Sequence, residues 1–85
     1  MTYYKEIEHD GIIYNCTLKM TAIGYPATLT LERNPKSKGR HWLDGFGGDG
    51  SKWMRWEYET PNFQGTFEPS GMFILDINEM ELINY

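Results

Sequence analysis

Between Ile12 and Met20 the apolar side chains fall on every second position: Ile12, Tyr14, Cys16, Leu18 and Met20, with Asn15, Thr17 and Lys19 among the residues between them. A period of two places alternate side chains on opposite faces, so this stretch is a half-buried strand. Asp10-Gly11 stands directly before it, and that dipeptide is a two-residue hairpin signal because a type I′ turn needs positive φ at both positions. The turn sets a register in which His9 lies opposite Ile12, Ile7 opposite Tyr14, Lys5 opposite Cys16 and Tyr3 opposite Leu18. Tyr3 and Ile7 then share the face of the apolar row, whereas a slip of one residue would send both to the other face. A third strand is expected over 27–33, with Ala27, Leu29 and Leu31 inward and Gly24-Tyr25-Pro26 as the bend before it.

Alternation resumes at Trp53. Met54, Trp56 and Tyr58 alternate with Trp53, Arg55, Glu57 and Glu59, and beyond Pro61-Asn62 the residues Phe63, Gly65 and Phe67 continue it. Pro69-Ser70-Gly71 reads as a three-residue hairpin loop with Phe67 facing Phe73, Gly65 facing Leu75 and Phe63 facing Ile77. Pairing Tyr58 with Phe63 sets Trp56 beside Gly65, where a missing side chain leaves room for an indole. The tail 79–85 fits a short helix started near Asn78, with Glu81 in its first turn, and also fits a strand carrying Met80 and Leu82.

These elements predict an all-β fold. It is a small antiparallel sandwich or barrel of about six strands, built as two three-stranded meanders joined by a long glycine-rich loop, with a short C-terminal helix or strand. At 85 residues the chain is expected to form a single domain over 1–85 around one core. Phe, Trp and Tyr make up 15 % of it, which makes large rings the main filling. Tyr14, Leu18, Leu29, Leu31, Trp56, Phe63, Phe67, Phe73 and Leu75 are expected together in that core.

The sole cysteine, Cys16, excludes an internal disulfide and suits a reducing compartment. No apolar run approaches the length of a membrane span, and the first residues lack a basic-then-apolar signal pattern. A soluble, cytoplasmic protein with no membrane association is the expectation. The net charge of −4 is unevenly placed: residues 34–55 carry Lys36, Lys38, Arg40, Lys52 and Arg55 against Asp44 and Asp49, a local +3, which leaves −7 elsewhere. Opposed poles of this kind steer charged partners.

The stretch 34–52 breaks the strand pattern with glycines at 39, 45, 47, 48 and 50, and a loop of that length in a small domain is usually functional or disordered. Gly45 to Gly50 matches G-x-G-x-x-G, but a strand-like segment follows it where a dinucleotide site requires a helix. An anion nest of backbone N–H groups needs no helix, and the surrounding lysines would add charge to it. Arg40-His41-Trp42 joins a cation, an imidazole and an indole. That composition serves base stacking in single-stranded nucleic acid and equally the hot spots of protein interfaces, while a Trp folded back over the core needs neither.

Asp44 and Asp49 lack the alternating carboxylates and terminal Glu of a calcium loop, and Cys16, His9 and His41 are too few for structural zinc. No metal or cofactor is expected. Glu57 and Asp76, flanking Gln64 on neighbouring strands, form the one carboxylate grouping, on a face too open to hold a carboxyl protonated. No nucleophile, base and orienting group converge, so the chain reads as a non-enzyme. The expected function is a non-catalytic intracellular interaction protein, a small inhibitor or accessory factor of the phage-encoded or immunity type, bound to a larger protein partner. Its binding residues are expected to be Lys36, Lys38, Arg40, His41, Trp42, Phe46, Gly47, Gly48 and Lys52. The alternative is a binder of nucleotide or single-stranded nucleic acid through the same loop.

Overall fold

A computed structural model describes residues 1–34, 36–37 and 55–85. The chain is all-β. Strands β1 (Thr2–His9), β2 (Ile12–Met20), β3 (Ala27–Arg33) and β4 (Arg55–Thr60) form an antiparallel meander, and β7 (Glu81–Asn84) returns to the other side of β1, giving the order β4-β3-β2-β1-β7. Between β4 and β7, the two-residue strands β5 (Thr66–Phe67) and β6 (Leu75–Asp76) make a separate antiparallel pair. The sheet is open, so the barrel alternative does not hold.

The first hairpin follows from its turn. Asp10 and Gly11 have φ of 51° and 81°, the left-handed pair that a type I′ turn requires, and the β1–β2 register runs His9↔Ile12 through Tyr3↔Leu18 as the turn dictates. The apolar rows then stack across strands: Cys16 lies opposite Leu31, which lies opposite Trp56, and Leu18 opposite Leu29, which lies opposite Tyr58. Cys16, Leu29 and Leu31 are wholly buried, and Leu18 and Tyr14 nearly so. Phe63 and Leu75 complete this core from the connecting segment, with Phe67, Met72, Phe73, Ile77 and Met80 packed against it. The expected core is therefore correct, with Trp56, Phe67 and Phe73 half-buried at its margin.

Two pairings differ from expectation. There is no second three-stranded meander, because β4 joins β3 and not the Phe63–Phe67 segment. The backbone of Phe63 explains it: its N–H donates to the Tyr25 carbonyl (3.0 Å) and its carbonyl accepts from the Gly24 N–H (2.7 Å), so neither group remains for Tyr58. Gly65, at φ 109°, then turns the chain out of extended geometry. A Cβ on Gly65 would meet Ile23 Cδ1 at 3.9 Å, so the space there belongs to Ile23 and not to the indole of Trp56, which meets the Tyr14 ring edge-on at 6.0 Å.

The second difference is a shift of two residues. Phe67 pairs with Leu75 and Thr66 with Asp76, where Phe67 opposite Phe73 was expected. Pro69–Gly71 forms a 3-10 turn, closed by the Gly71 N–H to the Glu68 carbonyl and the Met72 N–H to the Pro69 carbonyl. Met72 and Phe73 are drawn to the core instead of the ladder: the Phe73 ring lies 5.6 Å from that of Tyr14, and the Tyr14 hydroxyl reaches Met72 Sδ at 3.9 Å. The tail takes the strand form and not that of a helix started near Asn78. Ile77–Glu79 is a 3-10 turn whose Asn78 N–H donates to Asp76 Oδ1 (2.9 Å), and β7 follows it as a seventh strand.

Candidate functional site

Of the loop residues expected to bind, Lys36 is described and exposed; Lys38, Arg40, His41, Trp42, Phe46, Gly47, Gly48 and Lys52 lie outside the described residues. The loop's point of departure is well fixed. The Asn34 N–H donates to the Ile13 carbonyl (2.8 Å), the Ser37 hydroxyl accepts from the Ile13 N–H (2.8 Å), and the Lys36 N–H donates to Asn34 Oδ1 (2.8 Å). These bonds tie Asn34 and Ser37 to the start of β2 and Lys36 to Asn34.

The expected carboxylate grouping is not assembled. Glu57 lies opposite Thr30 on β4, Asp76 belongs to the β5–β6 pair, and Gln64 bonds locally to Asn62. Cys16 faces the core opposite Lys5, where burial pushes its thiol up to about 12, so it is a small core hydrophobe and not a nucleophile. The His9 ring rests 5.7 Å from that of Phe73, with Nε2 at 3.3 Å from Asp10. Among the described residues no three His, Cys, Asp or Glu side chains are grouped to hold a metal ion, and no helix is long and apolar enough to cross a membrane.

What the topology does build is the outer face of the five-stranded sheet. Because the apolar rows all point to the covered side, the alternate rows point outward. One outward row runs Glu81, Tyr4, Thr17, Thr30, Glu57 across all five strands. A second runs Glu6, Asn15, Glu32, Arg55, and a third Thr2, Lys19, Thr28, Glu59. Four interstrand spacings make the face about 19 Å wide.

Its middle is uncharged and its margin acidic. Tyr4, Asn15, Thr17, Thr28 and Thr30 are half-buried, while Glu6, Glu8, Glu32, Glu57, Glu59 and Glu81 are exposed. Against those six glutamates stand Lys19 and Arg55, a formal surplus of four negative charges and thus as large as the net charge of the whole chain. Arg55 is already engaged, with Nη2 at 3.2 Å from Glu57 and Nε at 3.9 Å from Glu32. Tyr4 is held in place: its hydroxyl donates to Asn15 Oδ1 (3.1 Å), and Asn34 Nδ2 donates both to that oxygen (3.2 Å) and to Glu6 Oε1 (3.2 Å). Burial, and then the nearby Glu6 carboxylate, raise the Tyr4 phenol above its ordinary value and keep it a neutral donor.

This surface was missed in the sequence because outward residues of separate strands become neighbours only once strand order is known. Its signal was the alternation of Thr and Glu against the buried rows. Comparison with protein-family models, curated proteins and solved structures finds no match for this chain.

Proposed function

We propose that this chain is a non-catalytic interaction protein, a small inhibitor or accessory factor of the phage-encoded or immunity type, that acts in the cytoplasm by binding a larger protein partner. The observation that carries the reading is the one-sided construction of the sheet. All its buried apolar rows serve one face, and the other is an ordered polar platform with a fixed tyrosine one strand in from its edge and charge at its margin. A less charged middle inside a polar rim is how protein interfaces are organised, and tyrosine is enriched among residues that dominate their energetics. Asn34, the first residue of the basic, aromatic stretch, is itself bonded to Glu6 and Asn15 of this platform.

A photo-crosslinking amino acid placed singly at Thr17, at Trp42 and at Ile74 tests the reading in the native cytoplasm. Ile74 is exposed on the connecting segment, away from the outward rows, and serves as control. Protein adducts of one defined mass from Thr17 or Trp42, and none from Ile74, are expected. Adducts to nucleic acid or nucleotide at Trp42, with no protein adduct at either position, would replace this reading with the nucleotide or single-strand binder. No adduct at any position would refute both.

A further inference from the structure

Resting on that reading, we infer that the outer sheet face docks a lysine- and arginine-lined surface of a protein partner, with Tyr4 and its threonine neighbours at the centre of the contact. The charge is in the right place as well as of the right sign. Glu6 and Glu81 stand around Tyr4, Glu6 two residues along the same strand and Glu81 directly across from it on β7, while Glu57 closes the far end of the same row. Arg55, which would repel a cationic partner, is neutralised between Glu32 and Glu57.

The centre is built for contact. A basic side chain reaching it meets the Thr17 and Thr30 hydroxyls and a phenol bonded to Asn15, itself held by Asn34, so little side-chain freedom remains to be lost on docking. Cationic groups at the rim would gain long-range attraction and orientation, and contacts to the phenol would set residence time. A nucleic acid is disfavoured on this face by the same glutamates, since its phosphates would meet carboxylates around the rim. The arrangement therefore selects a protein that presents the kind of surface other proteins use for nucleic acid.

The test uses a fluorescein-labelled peptide of alternating lysine and arginine, about ten residues long, as probe, with binding read by anisotropy and mapped by amide chemical shifts. Two double variants remove the same charge from different places. Glu6→Gln with Glu81→Gln alters the outward rows, and Glu68→Gln with Glu79→Gln alters exposed positions of the connecting segment. Wild-type protein should bind with shifts centred on Tyr4, Thr17 and Thr30. The first pair should weaken binding by about tenfold or more and the second by less than about twofold. Tyr4→Phe, which keeps the ring, should shorten residence with little effect on association.

Equal weakening by the two pairs would show attraction to net charge alone and overturn the proposal, as would an absence of binding or shifts confined elsewhere. A defined protein adduct from Trp42 with none from Thr17 would overturn it too, while leaving the broader interaction reading intact.

Discussion

Replacing Phe63 with alanine should remove more stability than truncating Trp56, although Trp56 is the larger ring. Phe63 is 1 % exposed and comes from outside the five-stranded sheet to close its covered face, with its ring stacked 5.3 Å from that of Phe67. Its backbone bonds to Gly24 and Tyr25 survive the substitution, so the loss is that of the ring and the cavity left behind. Such a truncation costs about 3–5 kcal/mol. A domain of 85 residues has a total stability on the order of 4–13 kcal/mol, so the loss takes from about a quarter to all of it. At about 4–8 °C per kcal/mol, the melting temperature should fall by at least about 12 °C. Phe63→Leu, which keeps most of the volume, should lose about 1.5 kcal/mol or less. Trp56 is the informative comparison. It is the larger ring, but it lies half-buried on the edge strand β4, so Trp56→Ala should cost at least about 1 kcal/mol less than Phe63→Ala. Urea unfolding followed by far-UV circular dichroism measures all three, with an unchanged m-value confirming that the denatured reference is shared. A Trp56→Ala variant as damaged as Phe63→Ala, or more so, would refute the view that the connecting segment is the keystone of the core.

Three further outcomes are expected. Gly11→Ala forces a Cβ into φ 81° at the first turn and should cost about 1–2 kcal/mol by the same unfolding measurement. The Cys16 thiol, raised to about 12 in the folded protein, should be unreactive to a thiol-specific chromogenic disulfide until the chain unfolds; because the folded state keeps that proton where the unfolded state loses it, stability should fall as pH climbs from about 9 towards 12, and Cys16→Ala should flatten that slope. Trp42→Ala should lose about 2 kcal/mol or more of partner affinity with an unchanged melting curve, whereas Lys36→Ala with Lys38→Ala should chiefly reduce the salt-dependent part of association, both read by titration calorimetry at two ionic strengths.

The parts of the fold legible in the sequence are those in which a turn and a period agree. Asp10-Gly11 fixes the first hairpin to the residue because turn geometry leaves no choice of register, and the apolar row of β2 confirms it independently. The partner of β4 was not legible. Trp56 and Tyr58 present an apolar face that matches Leu31 and Leu29 as well as it matches the rings that follow, and period two does not say which neighbour a strand takes. The backbone bonds of Phe63 to the turn at Gly24 and Tyr25 decide it, and such long-range pairing leaves no local pattern. The β5–β6 shift escaped for a related reason: moving by two residues keeps every side chain on its face, so the alternation of Phe67 and Leu75 is satisfied in either register. The outer face was half legible. Its residue types were visible as the polar partners of buried rows, but their grouping into an acidic rim around Tyr4 required the order in which five strands lie.

The way the sheet ends disfavours strand addition at its edges. A free strand edge invites another chain to pair with it, and β7 is made poor at this. It has four residues, and its pairing with β1 steps from Tyr3↔Leu82 to Thr2↔Asn84, leaving Ile83 as the extra residue of a bulge. A bulge interrupts the regular ladder and increases local twist, so a strand added beyond β7 would find no run of evenly spaced groups to bond. This accounts for an otherwise awkward feature: Ile83 is 55 % exposed at an edge, where an apolar side chain on a regular strand would favour aggregation. At the opposite end, β4 carries Arg55, Glu57 and Glu59 on its outward side, and charge on an edge strand opposes sheet extension in the same way. With extension disfavoured at both ends, the proposed partner would gain most by contacting side chains on the outer rows, where Tyr4 is already ordered and the glutamates set the sign of what can approach.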